Sequence, residues 1–198
     1  MLTFDTVHAL TGLLQRSLYD TPAPLGDLLL IQEHPTGGDR ARLRRMRLTQ
    51  LPLDAGDGWH ALPAALARTA DLVTADTFTH GDPLRPDDFG LLWQALTSPT
   101  PGLRTLAWAV SYTGVYAGPD EVCWQRRLDA VDIDGRVYQL TLRAGDTCPY
   151  VLIDEQGDPA DLPAIHPSLA RLAAFGSQVD VLARPGGHRR GPRPEHTA

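Results

Sequence analysis

The sequence predicts an α+β fold: an antiparallel β-meander of four strands and an N-terminal β-hairpin, with about four helices packed on one face of the sheet. Three observations lead to this class. Apolar residues recur at helical spacing in several segments of the first half, and the second half alternates as strands do. The third is the pair Asp134–Gly135, the strongest short hairpin signal in the chain.

The first half predicts three helices and a hairpin. A stripe of apolar residues at helical spacing places the first helix at about residues 5–18. The run DLLLIQEH predicts a strand and RARLRRMRL its hairpin partner, with PTGGD as the turn between them. Pro63 and Pro86 suit the first turn of a helix, so further helices are expected at about 62–73 and 86–97.

The second half predicts the meander. Its four strand segments are LAWAVSYTG, VCWQRRL, RVYQLTLR and PYVLID. A two-residue type I′ turn at Asp134–Gly135 joins the second strand to the third, because Asp and Gly tolerate the positive φ it needs. A short helix near 167–175 follows. We therefore expect a single α+β domain over residues 1–183 and a disordered, basic C-terminal tail over residues 184–198.

Two amino acids are missing from the chain. Its 198 residues include no lysine and no asparagine, so all 18 basic side chains are arginine. Both missing amino acids have AT-rich codons, which indicates a GC-rich bacterial genome. The absence of Lys excludes Schiff-base chemistry, a Walker-type phosphate loop and Ser–Lys hydrolysis. The absence of Asn excludes a Cys-His-Asn triad.

The sequence also predicts a cellular compartment. The N-terminus MLTFDTVHAL lacks the basic and apolar regions of a signal peptide. No apolar run approaches the roughly 20 residues that span a bilayer. Cys123 and Cys148 have neither CxxC spacing nor a nearby His, a pattern typical of reduced thiols. These features predict a cytoplasmic protein with no membrane partner, and they leave open whether the two cysteines are close in space.

Basic charge is concentrated in two short segments of an otherwise acidic chain. The net charge is −6, yet residues 26–47 sum to +2 and residues 184–198 to +3. On a regular strand the apolar residues of RARLRRMRL fall on both faces. A β-bulge at Arg44–Arg45 would turn every arginine outward. The predicted anion- or nucleic-acid-binding residues are Arg40, Arg42, Arg44, Arg45 and Arg47.

Two interpretations of these arginines stay open. Arginine binds phosphate in a bidentate manner and basic β-ribbons enter DNA grooves, so the hairpin and the tail together would suit a nucleic acid. Alternatively the arginines form a solvated or protein-docking face, because charged side chains keep exposed strands from pairing edge to edge. No aromatic residue between 20 and 58 offers a stacking platform for single strands.

Carboxylates near the predicted strand ends are the other candidate site. The set consists of five residues near the predicted strand ends: Asp129, Asp132, Asp134, Asp154 and Glu155. If the strand ends meet, their carboxylate oxygens would suit Mg²⁺ or Ca²⁺, although turn formation explains the same residues. His166, which precedes Pro167, is interpreted as a helix cap. The predicted metal ligands are Asp132, Asp134 and Asp154.

No motif in the sequence assigns catalytic residues or a cofactor, and we expect none. The sequence favours a non-catalytic, cytoplasmic interaction or accessory protein whose partner is another protein. One alternative is a nucleic-acid-associated protein that binds phosphates through the strand Arg40–Arg47. The other is a carboxylate- or metal-dependent hydrolase that uses the Asp129–Asp134 and Asp154 region.

Overall fold

The computed structural model describes residues 1–16, 26–35, 44–53, 59–74, 103–117, 122–154 and 164–182. A 3-10 turn, Trp59–Ala61, precedes the second helix. The predicted α+β class is confirmed. The helices and strands are α1 (Phe4–Arg16), β1 (Gly26–Pro35), β2 (Arg44–Pro52), α2 (Leu62–Thr74), β3 (Arg104–Ala117), β4 (Val122–Asp132), β5 (Val137–Arg143), β6 (Tyr150–Asp154) and α3 (His166–Leu182).

All six strands belong to one antiparallel sheet with the order β2-β1-β3-β4-β5-β6. The meander β3–β6 forms four neighbouring strands of the sheet, and the hairpin β1–β2 adds two more strands beside β3. The two parts join because β1 pairs with β3, from Gly26 opposite Tyr112 to Glu33 opposite Arg104. The predicted four-stranded meander and N-terminal hairpin therefore form one six-stranded sheet.

Helices cover both faces of the sheet, which corrects the prediction of a single helical face. Leu10 and Leu14 of α1 are buried against one face. Helices α2 and α3 pack on the opposite face around Trp108. Because consecutive strand residues point to opposite faces, the fully buried run Leu28–Ile31 needs cover on both sides. The unbroken apolar run in DLLLI is the sequence signal of that two-sided burial.

Three of the predicted helices can be compared directly with the structure. The helix expected at about 5–18 is α1, which begins at Phe4 and is described as far as Arg16. The helix expected at 62–73 is α2, and the one expected near 167–175 is longer than predicted, because α3 extends to Leu182. The predicted helix 86–97 and the predicted tail 184–198 lie outside the described residues. The described part of the chain accordingly contains three α-helices, where about four were expected for the whole chain.

The hairpin at Asp134–Gly135 is confirmed, but its turn is not the type I′ turn that was predicted. The Gly135 N–H donates to the Asp132 carbonyl at 2.9 Å, and the Asp132 N–H donates to the Arg136 carbonyl at 3.0 Å. The turn is therefore centred on Ile133 and Asp134. Gly135 follows it with a φ of 85°. This is a three-residue hairpin loop, in which a glycine supplies the left-handed position.

Candidate functional site

The arginine strand forms one outer edge of the sheet, as β2. The side chains of Arg45 and Arg47 are exposed, and neither forms an ion pair with another residue in the described ranges. Arg44 begins the strand, whereas Arg40 and Arg42 lie outside the described residues. The structure thus places two of the five predicted arginine side chains side by side on one surface.

The pairing of β2 explains which way these arginines point. β2 pairs with β1 in one continuous register along its whole length, so the bulge predicted at Arg44–Arg45 is wrong. Regular alternation directs Met46 and Leu48 toward the α1-side core, where both are partly buried. Arg45 and Arg47 consequently project from the opposite face of the sheet.

Two of the three predicted metal ligands lie close together. Asp132 ends β4 and Asp134 lies in the turn that follows. The amino group of Met1 lies 3.3 Å from Asp132 Oδ2 and donates a hydrogen bond to Asp134 Oδ2. Asp154 ends β6, opposite Val137 of β5. Among the described residues no three His, Cys, Asp or Glu side chains are grouped as a metal ion requires, and the metal site stays a prediction.

Hydrogen bonds within its own hairpin occupy the buried carboxylate of Asp132. Oδ1 accepts from the backbone N–H groups of Asp134, at 3.0 Å, and Arg136, at 2.9 Å. Oδ2 accepts from the Tyr138 hydroxyl at 2.8 Å, and that hydroxyl accepts from the Leu2 N–H at 2.9 Å. Burial, with the Asp132 charge adding to it, raises the pKa of Tyr138 to about 12. Asp132 therefore organises the turn and ties it to the N-terminal segment.

A second buried carboxylate, Asp129, lies on the other face of the same strand, beneath α3. Its Oδ1 accepts a hydrogen bond from Arg127 Nη2 at 3.0 Å, and its Oδ2 accepts one from the Tyr112 hydroxyl at 2.6 Å. Nε2 of His166, the first residue of α3, lies 3.7 Å from Asp129 Oδ1. Four titratable side chains from β3, β4 and α3 thus converge in one cluster.

The electrostatics of the cluster favour a charged carboxylate. Burial alone would raise the pKa of Asp129, but His166, the Arg127 guanidinium and the Tyr112 hydroxyl together lower that pKa below its ordinary value. Burial strongly raises the pKa of Tyr112, and the charge of Asp129 adds to this shift. The cluster therefore contains an ion pair between Arg127 and Asp129 and a neutral phenol that donates to it.

His166 is the member of the cluster whose bonding is incomplete. Its side chain is 3 % exposed, and neither ring nitrogen has a hydrogen-bond partner in the described part of the chain. The ring thus caps no backbone N–H there, contrary to the interpretation made from the sequence. A buried polar group without a partner is costly, so a proton on Nε2 that pointed to Asp129 would be stabilising. Asp129 and His166 are both closed to solvent.

The edge opposite the arginine strand is apolar. β6 is the last strand of the sheet and exposes four consecutive apolar side chains to 43–62 %: Tyr150, Val151, Leu152 and Ile153. Its register with β5 directs Val151 and Ile153 to the α1 face and Tyr150 and Leu152 to the α3 face. Both faces of this edge therefore present apolar surface to solvent.

A smaller apolar surface lies on the ribbon formed by the ends of β3 and β4, beyond Tyr112. Val115 pairs with Trp124 across the two strands. These side chains are 41 % and 63 % exposed, and Val122 nearby is 73 % exposed. Cys123, in the same ribbon, is a half-buried free thiol. The ribbon offers a few contact residues, whereas β6 offers a continuous row.

Comparisons with protein-family models, with curated proteins and with solved structures found no match. In the ranges that the structure describes, no helix has both the length and the apolar character needed to cross a bilayer.

Proposed function

We propose that this chain is a non-catalytic, cytoplasmic accessory protein of a GC-rich bacterium, and that it binds another protein chain along the outer edge of β6. The observation that carries the proposal is the row Tyr150–Ile153, exposed on both faces of the sheet. An exposed sheet edge binds an extended chain through main-chain hydrogen bonds, and its side chains add specificity. Contiguous exposed apolar side chains are typical of interaction sites.

The placement of the polar groups supports binding over catalysis. The two oxygens of Asp132 are used by the turn and by Tyr138. Asp129 and His166 lie beneath α3, where a dissolved substrate has no access. Among the described residues, the surfaces open to a partner include the apolar edge β6, the ribbon at Trp124 and the arginines of β2.

Site-specific photo-crosslinking in the producing cell tests this function. A photoreactive amino acid replaces Leu152, which lies in the middle of β6. The matched control replaces Leu72 of α2, which is also apolar and is 45 % exposed. We expect a discrete protein adduct from position 152 and none from position 72, with the mass of the adduct reporting what occupies the edge.

The outcomes of the crosslinking experiment are distinct. An adduct at position 152 alone supports a protein-binding role for β6. Equal adducts at both positions, or none at position 152, would overturn the proposal, because a bound chain must lie within reach of the middle of the strand.

The exposed arginines favour a second function, the binding of nucleic acid through β2. Arg45 and Arg47 project from the same face without an ion pair to another described residue. The test is fluorescence anisotropy with duplex and single-stranded DNA at roughly 50 and 200 mM salt, where phosphate contacts give a steep salt dependence. The variant Arg45→Gln/Arg47→Gln should lose binding, and Arg68→Gln on α2 is the control. Absence of binding by the wild-type protein at the lower salt sinks this function.

A further inference from the structure

Within the part of the chain that the structure describes, the edge strand β6 has few of the features that keep sheet edges from pairing. Natural edges are protected by charged side chains, prolines, bulges or a covering element. The five residues of β6, Tyr150–Asp154, include no proline and carry one charge, at the last position. Its pairing with β5 is continuous. By contrast, the opposite edge β2 carries Arg45 and Arg47.

The sequence of β6 is complementary to itself when it is read in the antiparallel direction. Two copies of one strand related by a twofold axis can pair only in registers that oppose residues of the same face. The register that pairs all five residues is centred on Leu152. It places Val151 opposite Ile153, and Tyr150 opposite Asp154. Cross-strand pairs of β-branched residues stabilise antiparallel sheets, and this register brings no like charges together.

We propose that the chain bound along β6 is the β6 strand of a second copy of this protein, which joins two six-stranded sheets into one of twelve strands. The inference rests on the proposed function, because it names the occupant of the same edge. Each copy supplies the four exposed apolar side chains, Val151 and Ile153 on one face and Tyr150 and Leu152 on the other. The isologous contact closes after two copies, so it does not propagate into a fibre.

The size of this contact sets the expected strength of the dimer. Five residues from each copy give an interface at the small end of the range for specific complexes. We therefore expect a reversible dimer whose population changes over the micromolar concentration range in sedimentation experiments on the full chain. The variant Leu152→Arg places two guanidinium groups opposite each other on the twofold axis and should weaken the dimer at least tenfold. Leu72→Arg, on α2, is the control for added surface charge.

A disulfide experiment tests the register itself. In a background that carries Cys123→Ser and Cys148→Ser, the change Leu152→Cys places two thiols on the twofold axis. Facing Cα atoms of antiparallel strands are about 4.5–5.5 Å apart, within the span of a disulfide. Mild oxidation should then give a covalent dimer. Tyr150→Cys is the matched control. In this register residue 150 lies opposite residue 154 of the other copy, so the two introduced thiols are four residues apart along the strands and should not form a disulfide.

The results separate this inference from the function on which it rests. A dimer that Leu152→Arg weakens, and that Leu152→Cys locks, supports the inference. A monomer at every concentration overturns it, and so does a dimer that Leu152→Arg leaves intact. If the cellular adduct at position 152 nevertheless forms with a different protein, the proposed function stands with another occupant. If position 152 gives no adduct and no dimer, both fail.

Discussion

Two aspartates on the same strand illustrate two ways in which this fold accommodates a buried charge. Asp129 and Asp132 lie three residues apart on β4, point to opposite faces and are at most 1 % exposed. Asp132 is held by backbone N–H groups of its own hairpin and by one hydroxyl. Asp129 is held by side chains from β3, β4 and α3. The first depends on local backbone geometry, whereas the second depends on tertiary packing.

The two carboxylates therefore differ in how strongly they depend on tertiary packing. The backbone donors of Asp132 are in place as soon as the β4–β5 turn forms, so the residue behaves as a turn former, and the Met1 amino group joins it when the N-terminal segment packs against the turn. The donors of Asp129 come together only when α3 has docked on the sheet. The contacts of Asp129 therefore depend on the docking of α3. Changes at Asp129 should lower the free energy of unfolding more than equivalent changes at Asp132.

The largest expected effect is that of Asp129→Asn. The change leaves the Arg127 guanidinium, which is 23 % exposed, without its anion, and removing one partner of a buried pair costs about 3 kcal/mol or more. Asp132→Asn keeps an oxygen that can accept both backbone N–H groups, so its cost should be about 1 kcal/mol. Urea denaturation at neutral pH measures both free energies of unfolding. Equal losses of stability for the two variants would contradict the difference proposed between Asp129 and Asp132.

A double variant sharpens this prediction. If the cost of Asp129→Asn comes from the uncompensated Arg127 charge, then Asp129→Leu combined with Arg127→Met should be more stable than Asp129→Asn alone. A double variant that is less stable than the single one would assign the cost to the hydrogen bond from Tyr112 instead.

Removing one hydroxyl at a time should have an intermediate effect. Tyr112→Phe deletes a 2.6 Å hydrogen bond to the charged Asp129, a contact worth about 1.5–3 kcal/mol in general. We expect the lower end of this range, because Tyr112 is partly exposed and Asp129 keeps its hydrogen bond from Arg127. Tyr138→Phe removes an acceptor for Leu2 and a donor to Asp132 in a fully buried position, so its cost should be larger. Thermal unfolding of the two variants in parallel checks this order.

Sequence reasoning succeeded where the signal was local. The β4–β5 hairpin and the helix α2 follow from turn chemistry and from helical periodicity, and both are present, although the hairpin turn is centred one residue earlier than predicted. It failed where the outcome depended on which elements become neighbours. The apolar run Leu28–Ile31 indicates cover on two faces, but the pattern does not say that α1 supplies one of them.

The Asp129 cluster was missed for the same reason. Arg127 and Asp129 are two positions apart on a strand, so the sequence does place them on one face. Tyr112 joins them because β3 pairs with β4, opposite Arg127, and His166 joins them because the start of α3 lies above that point. Long-range pairings of this kind leave no local pattern. The row of apolar residues in PYVLID is visible in the sequence, yet only the strand order shows that it lies at an edge.

The smallest expected effect is on the pH dependence of the free energy of unfolding. A carboxyl whose pKa is lowered on folding contributes stability that is present above its unfolded pKa of about 4 and is lost as the pH falls through its folded pKa. The pKa of Asp129 is lowered in the folded protein, so the wild type should lose stability in this acid range. Asp129→Asn lacks the titrating group and should lose less. Tyr112→Phe removes one of the contacts that lower this pKa, so its loss of stability with falling pH should be intermediate. Denaturant unfolding from neutral pH to about pH 3 measures the free energy of unfolding of the three proteins. Parallel curves of this free energy against pH would show that Asp129 does not couple protonation to the docking of α3.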